Sequence, residues 1–406
     1  FTRLCDCTFT PTRVTETIKD YSNTIGKRNI VDNIMIWPLF IQGVLGQNVL
    51  DPNWTWKNRI LKQIFLVLLL IYVIFGTKDY LKDATEVSSI AEAYYTLLIT
   101  SLFPIKYLLF VNNRGPFQSL YLMAKTSLFE IVKTDSNKKS NELLKKLKLI
   151  ANILVATFIF PVSMYFVTAM WNYILGTRVT LSKTTTILMP MTTPYYEIGL
   201  ILHTMYMFYM AFSYLVIDTW FVFVMFFFCV ACDSLAKGLQ VDPKGCAETD
   251  LEYAVRLNDA LRMFYMNHNK LMQYLNILCD MYKWPTVIPL VKVLLASCLL
   301  LFSMSEQVQW TYFVSNVIPT FIELFAYNWF GEQVKAKSTQ LNMALLDFDW
   351  PNMRFKDKKN YLIIITYMVK DFSVKTAVGN DLSLCTMTSV LKASYQAFAV
   401  LQSMEY

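Results

Sequence analysis

Charge is scarce in this sequence: Asp, Glu, Lys and Arg make up 17% of its 406 residues, against about 25% in a soluble domain. Histidine is scarcer still. His203 and His268 are the only two, and neither sits in a His-Glu-x-x-His or His-x-x-x-His arrangement, so the usual metalloenzyme patterns are missing. Cys229 and Cys232 share a helical face and Cys5 and Cys7 lie close, but zinc takes four ligands and neither pair has a second beside it. All eight cysteines therefore read as buried or free thiols. Internal repeats, low-complexity tracts and chains of acids within apolar runs are absent, which argues against a repeat-built transporter. No catalytic constellation, metal or cofactor is expected.

Apolar residues are what the chain has instead: 55% of the total, with mean hydropathy +0.37. Runs of 18 or more apolar residues with few charges are membrane spans. Seven are expected: Ile60–Gly76, Val87–Val111, Leu149–Tyr173, Ile198–Leu235, Val287–Met304, Val308–Phe330 and Gly379–Met404. The first is almost pure Leu, Ile, Val and Phe. The second is interrupted by Ser88, Ser89, Glu92, Thr100, Ser101 and Lys106, so one side of it is expected to face protein or a cavity. The fourth exceeds the roughly 20 residues a bilayer needs and should continue beyond it as helix. The first 40 residues show no apolar signal region, so the first span is expected to direct its own insertion.

Basic residues set the orientation. The segments outside the spans carry 7, 2, 8, 2, 6, 0, 8 and 0 Lys plus Arg in chain order. Basic loops are cytoplasmic, which places the N-terminus inside and the C-terminus outside. Nucleic acid is a poor partner for a +7 chain whose cations are dispersed in this way. A G-protein-coupled receptor has the reverse orientation, and neither Asp-Arg-Tyr after the third span nor Asn-Pro-x-x-Tyr in the seventh is present. Asn53-Trp54-Thr55 is a glycosylation sequon on the side read as cytoplasmic, so it is expected to stay unmodified. In residues 236–284, Leu251, Val255, Leu261, Phe264, Leu271, Leu275 and Leu278 recur mostly at helical spacing. That amphipathic helix is either ordinary loop structure or part of a platform for assembly.

Charges inside spans are functional candidates by default. Lys106 and Lys292 are expected to snorkel from cytoplasmic ends. Asp218 and Glu323 remain open between structural and functional roles. Lys392, midway along the seventh span, must pair with an acid or meet water.

The residues from 331 onward are the most distinctive. They read Gly331-Glu-Gln-Val, Met343-Ala-Leu-Leu-Asp-Phe-Asp-Trp350, Arg354-Phe-Lys-Asp-Lys-Lys359, Gly379, Leu382-Ser-Leu384, and Ser389 through Leu401 with Lys392-Ala-Ser-Tyr395 inside. This order resembles the C-terminal signature of insect odorant receptors: a glycine ending the sixth span, an acidic-Trp segment, a Lys-rich turn, a glycine opening the seventh span, and a Lys-x-Ser-Tyr run. Ile36-Trp37-Pro38 is similar to that family's re-entrant segment before the first span. The long insertion of the family's co-receptor is absent from residues 236–284, and so is the terminal motif of gustatory receptors. The chain therefore looks like a ligand-selective subunit. A gustatory or G-protein-coupled receptor and a small-molecule carrier are the competing classes.

The resemblance implies an all-α, seven-transmembrane fold with inverted topology and long cytoplasmic helical extensions forming an anchor. Four parts follow: residues 1–59 before the bundle, 60–235 as ligand-binding bundle, 236–378 as anchor segments with spans five and six, and 379–406 as pore helix with a short outer tail. It implies a heterotetramer with the odorant receptor co-receptor in the plasma membrane of olfactory dendrites, gating cations in response to a small volatile odorant. Ser389, Ala393, Gln396, Val400 and Ser403 form one small-or-polar stripe along the seventh span, suited to a water-filled lumen with Val400 as an apolar gate, or to close helix packing. Glu405 would stand at its outer mouth, either favouring cations or idle. For the ligand, the resemblance points to the outer half of spans two to six. Candidates there are Tyr94, Leu98, Met164, Thr168, Trp171, Tyr206, Met207, Met210, Trp310 and Phe313, aromatic and thioether walls with few polar groups. The competing role for the aromatics is an interfacial belt.

Overall fold

The computed structural model describes residues 36–47, 50–51, 54, 60–83, 87–133, 137–178, 191–303 and 310–404. Cys5, Cys7, the Asn53 sequon, the turn around Glu306 and Glu405 lie outside the described residues. Within them the regular structure is helical, apart from one antiparallel bridge between Lys375 and Asp381, with loops and turns between the helices.

A short helix α1 (Ile36–Leu45) precedes α2 (Ile60–Asp83) and α3 (Val87–Asn112). Next come α4 (Arg114–Met123), a π turn (Ala124–Leu128) and α5 (Phe129–Lys133). The long helices α6 (Asn137–Ile174), α7 (Tyr195–Gly238) and α8 (Asp250–Tyr282) follow, then α9 (Val287–Ser303) and α10 (Trp310–Leu346). The chain ends with α11 (Phe355–Met368) and α12 (Leu384–Met404). Helices α2, α3, α6, α7, α9, α10 and α12 occupy the seven expected spans. Four stretches of the described residues are long and apolar enough to cross a membrane unaided: Ala93–Asn112, Lys148–Ile174, Tyr195–Gly238, and Asp250–Leu299, where α8 turns into α9.

Helix α7 is the hub. It packs against α1, α3, α6, α8 and α10, and it is buried on every side from Ser213 to Met225. A helix apolar all round must lie inside something. Its Trp220 is closed in by Phe117 and Tyr121, edge-on at 4.6 and 5.6 Å between ring centres. One residue on, Phe221 stacks on Tyr327 of α10 at 3.9 Å.

The expected helix in residues 236–284 is α8. Thr249 accepts the Glu252 N–H while the Glu252 carboxylate accepts the Thr249 N–H, a reciprocal cap that starts the helix there. Its buried stripe runs through Leu257, Leu261, Phe264, Leu271, Leu275 and Leu278. Leu251 and Val255, expected on that stripe, are exposed instead. Tyr253 and Ala254 take their place, because they stand four and three residues before Leu257, whereas Leu251 and Val255 stand six before Leu257 and Leu261 respectively and so turn off that face.

Two glycines of the C-terminal signature sit differently in the fold. At Gly331 the helix does not stop: α10 runs through it to Leu346, beyond the expected end of the sixth span. Gly379 does not open the last helix: its φ of +92° places it in a turn closed on Thr376, and α12 starts only at Leu384. The positive φ is what requires glycine there. The acidic-Trp segment organises the end of the bundle that holds α8 and α11. Asp349 accepts a 2.7 Å hydrogen bond from the Tyr253 hydroxyl. Trp350 stacks on Tyr361, with the Lys358 ammonium over its indole.

Candidate functional site

The interior between α3, α6, α7, α9 and α10 is lined by polar atoms in an otherwise apolar bundle. On α3, Tyr95 is buried, packs on Ala296 of α9 with Leu98 alongside, and lies within hydrogen-bond reach of Thr320 of α10. On α7, Tyr206 is buried against Val73 with Met210 alongside, and its hydroxyl reaches Thr100. A hydroxyl in an apolar setting needs such a partner, so these pairs fix which way each ring points.

The expected ligand residues divide accordingly. Leu98 packs with the Tyr95–Ala296 pair, Tyr206 and Met210 pack in a second cluster with Val73 of α2, and Met164 and Met207 are half-buried. Tyr94, Thr168 and Trp171 face outward on the single chain, Trp171 being 63% exposed. Trp310 and Phe313 lie on α10, with side chains outside the described residues. Tyr95, Tyr165 and Thr320 are not among the expected ligand residues, and Thr100 is expected only as one of the polar interruptions of the second span. Their signal was available: hydroxyl side chains inside apolar helices are expected to find partners within the protein.

Deeper in the bundle the four charges gather into one cluster. The Lys106 ammonium lies 2.5 Å from Asp218 Oδ1 and 2.6 Å from Glu323 Oε1. Glu323 Oε2 meets Lys292 at 2.7 Å, and the Tyr327 hydroxyl donates to Asp218 Oδ1 at 2.8 Å. Both ammoniums also stand over the Tyr214 ring, at 4.8 and 5.1 Å from its centre. Lys106 and Lys292 therefore do not snorkel. The Lys106 side chain is fully buried, and Lys292 is nearly so. Two cations and two anions from α3, α7, α9 and α10 neutralise each other, which is how a bundle tolerates buried charge.

On α12, Ser389, Ala393, Gln396, Val400 and Ser403 are all exposed. Ser394 on the opposite side is buried against α9, its hydroxyl shared between the Val390 and Val293 carbonyls at 3.0 and 3.5 Å. Lys392 is exposed beside the stripe, and among the described residues no acid pairs with it.

The comparisons agree with the motifs. The family described as 7tm Odorant receptor matches residues 86–395. No curated protein matches the chain. The structure of the insect olfactory receptor OR5 from Machilis hrabei is similar with TM-score 0.68 and 15% identity, over 91% of this chain and 98% of that one. The same receptor in complex with eugenol gives the same score and identity, over 92% and 99%. At that identity the likeness establishes the fold: an all-α bundle of the seven-helix receptor type. The family match covers well over half the sequence, so this chain belongs to the 7tm odorant receptor family and is a membrane receptor protein, not an enzyme.

Proposed function

We propose that this chain is the odorant-binding subunit of a heteromeric, ligand-gated cation channel, and that it assembles with the odorant receptor co-receptor in the plasma membrane of olfactory sensory dendrites. The observation that carries the reading is the unpartnered face of α12. Five small or polar residues, with Val400 among them, line one exposed strip of an otherwise membrane-type helix. A lipid-facing helix has no use for Gln396 and two serines on one strip, whereas a shared water-filled lumen does.

Ligand binds in the interior between α3, α6, α7, α9 and α10, so the ligand bundle draws on residues beyond the 60–235 segment. The similar receptor's complex with eugenol supports a small volatile ligand with one or two polar atoms. Leu98, Met164, Met207 and Met210 supply an adaptable apolar wall. The hydroxyls of Tyr95, Tyr206, Thr100 and Thr320 orient a polar atom. The basic loops support a cytoplasmic N-terminus and an outer C-terminus. Gating is a population shift: ligand favours the open arrangement only by as much as it binds that arrangement better.

The test is co-expression with the co-receptor and current recording across a panel of volatile compounds. Odour-evoked cation current that needs both chains and survives G-protein blockade is the expected result. Glycan found on Asn53 would place that segment outside and remove the inverted topology on which the pore reading stands.

A further inference from the structure

We propose that Glu323 is the positioning residue that links ligand occupancy in the bundle interior to the α12 helix; the inference rests on the channel-subunit reading above. Its two carboxylate oxygens are divided. Oε1 takes Lys106 of α3, a ligand-lining helix, and Oε2 takes Lys292 of α9, the helix against which α12 packs.

Both ends of this linkage connect onward. Toward the interior, Thr320 lies one helical turn before Glu323 on α10, on the same face. It is the residue within reach of the Tyr95 hydroxyl. Tyr214, whose ring carries both ammoniums, precedes Asp218 by one turn of α7. A molecule that displaces Thr320 therefore acts on α10 one turn from Glu323, and one that displaces Tyr95 acts on α3 about three turns before Lys106. Toward α12, Lys292 is followed by Val293, fully buried, whose carbonyl faces the Ser394 hydroxyl. Ser394 adjoins Ala393 of the exposed strip.

Charge is suited to this task where apolar packing is not. A buried ion cluster adds little net stability over a well-packed apolar one, but losing one member leaves an uncompensated charge. A Leu-Leu contact tolerates sliding. A carboxylate bridging two ammoniums does not, because a shift of α10 by one turn, about 5.4 Å, would strip Glu323 of both partners. The cluster therefore restricts α10 to discrete positions relative to α3 and α9, and α9 passes the choice to α12.

Lys292→Met cuts the α9 arm and leaves the Lys106 contacts to Asp218 and Glu323. With the co-receptor present and surface abundance matched, the maximal current evoked by a fixed mixture of volatile phenols, esters and alcohols should fall about fivefold or more, within the range typical of coupled sites. Lys292→Arg, which keeps the charge, should retain at least half of it. Lys292→Met with Glu323→Gln should lose no more than the worse single variant, because Glu323→Gln already weakens the Lys292 link that Lys292→Met removes. Should Lys292→Met fail to reach the surface, Lys292→Gln is read in the same way. Current at the wild-type level, failure of Lys292→Arg to rescue, or additive losses would each overturn the proposal. A silent wild-type complex strikes the channel reading instead. The linkage is then judged without ligand, by hydrogen exchange over residues 384–404 of the purified chain. Faster exchange in α12 of Lys292→Met upholds it, and unchanged exchange overturns it.

Discussion

Gly331 and Leu382 touch backbone to backbone. A Cβ placed on Gly331 would stand 2.3 Å from the Leu382 carbonyl oxygen and 2.4 Å from its Cβ. Helix α10 thus meets the strap leading into α12 at a point with no room for a methyl group. The strap is pinned on both sides of this contact: the Leu382 N–H donates to the Val374 carbonyl and the Phe372 N–H to Ser338 Oγ of α10.

Gly331→Ala should accordingly destabilise the fold by about 1–3 kcal/mol, the usual cost of forcing atoms into a packed site. The obstacle is backbone rather than a flexible side-chain tip, so the upper end of that range is expected. Thermal unfolding of the detergent-solubilised protein measures it. A variant that melts with the wild type would mean the strap can move aside freely.

Lys106→Met leaves Glu323 with Lys292 alone and Asp218 with no cation, only the Tyr327 hydroxyl. Removing one partner of a buried pair typically costs about 3–5 kcal/mol. The expected outcome is loss of folded, surface-delivered protein, read by surface biotinylation and by size-exclusion of the solubilised chain. Normal yield and stability would show that the cluster is hydrated and relaxed rather than enclosed.

Tyr253→Phe removes the hydrogen bond that joins α8 to the acidic-Trp segment through Asp349. Asp349 keeps the Asn352 amide, at 2.9 and 3.0 Å to its two oxygens, so it is not left bare. A modest cost of about 1 kcal/mol is expected. Asp349→Asn in the same background should add little if the two residues act as a pair. Full additivity of the two melting shifts would show that they do not.

The long helices were legible because each needs only a local apolar run, and Ile60 to Asp83 or Tyr195 to Gly238 supply one. The ion cluster was not. Lys106 pairs with residues 112 and 217 positions away, and no local pattern reports which charges will meet. Snorkelling was the reading available to a lysine considered alone. Rotation about a helix axis was equally hidden. Tyr94 and Tyr95 are adjacent and chemically identical, and only packing against α9 and α10 turns Tyr95 inward and Tyr94 out. Gly331 was legible as a signature residue, but its reason lies in Leu382, beyond the end of its own helix.

Val400 is 54% exposed on the single chain, on the strip with Gln396 and Ser403. If four such strips enclose a lumen, an apolar residue among polar ones is where water is least stable, and a narrow apolar ring blocks ions by drying. Val400→Ala removes two methyl groups from that ring, which widens it and lowers the drying barrier. Current in the absence of odorant should rise, and ion preference should shift, while assembly with the co-receptor is unchanged. A packing face would behave differently, since the smaller side chain would loosen a helix contact and lower surface yield without altering permeation. Whole-cell recording of basal current and reversal potential, with co-purification as the assembly control, separates the two. Basal current and ion preference equal to the wild type would retire α12 as the pore helix.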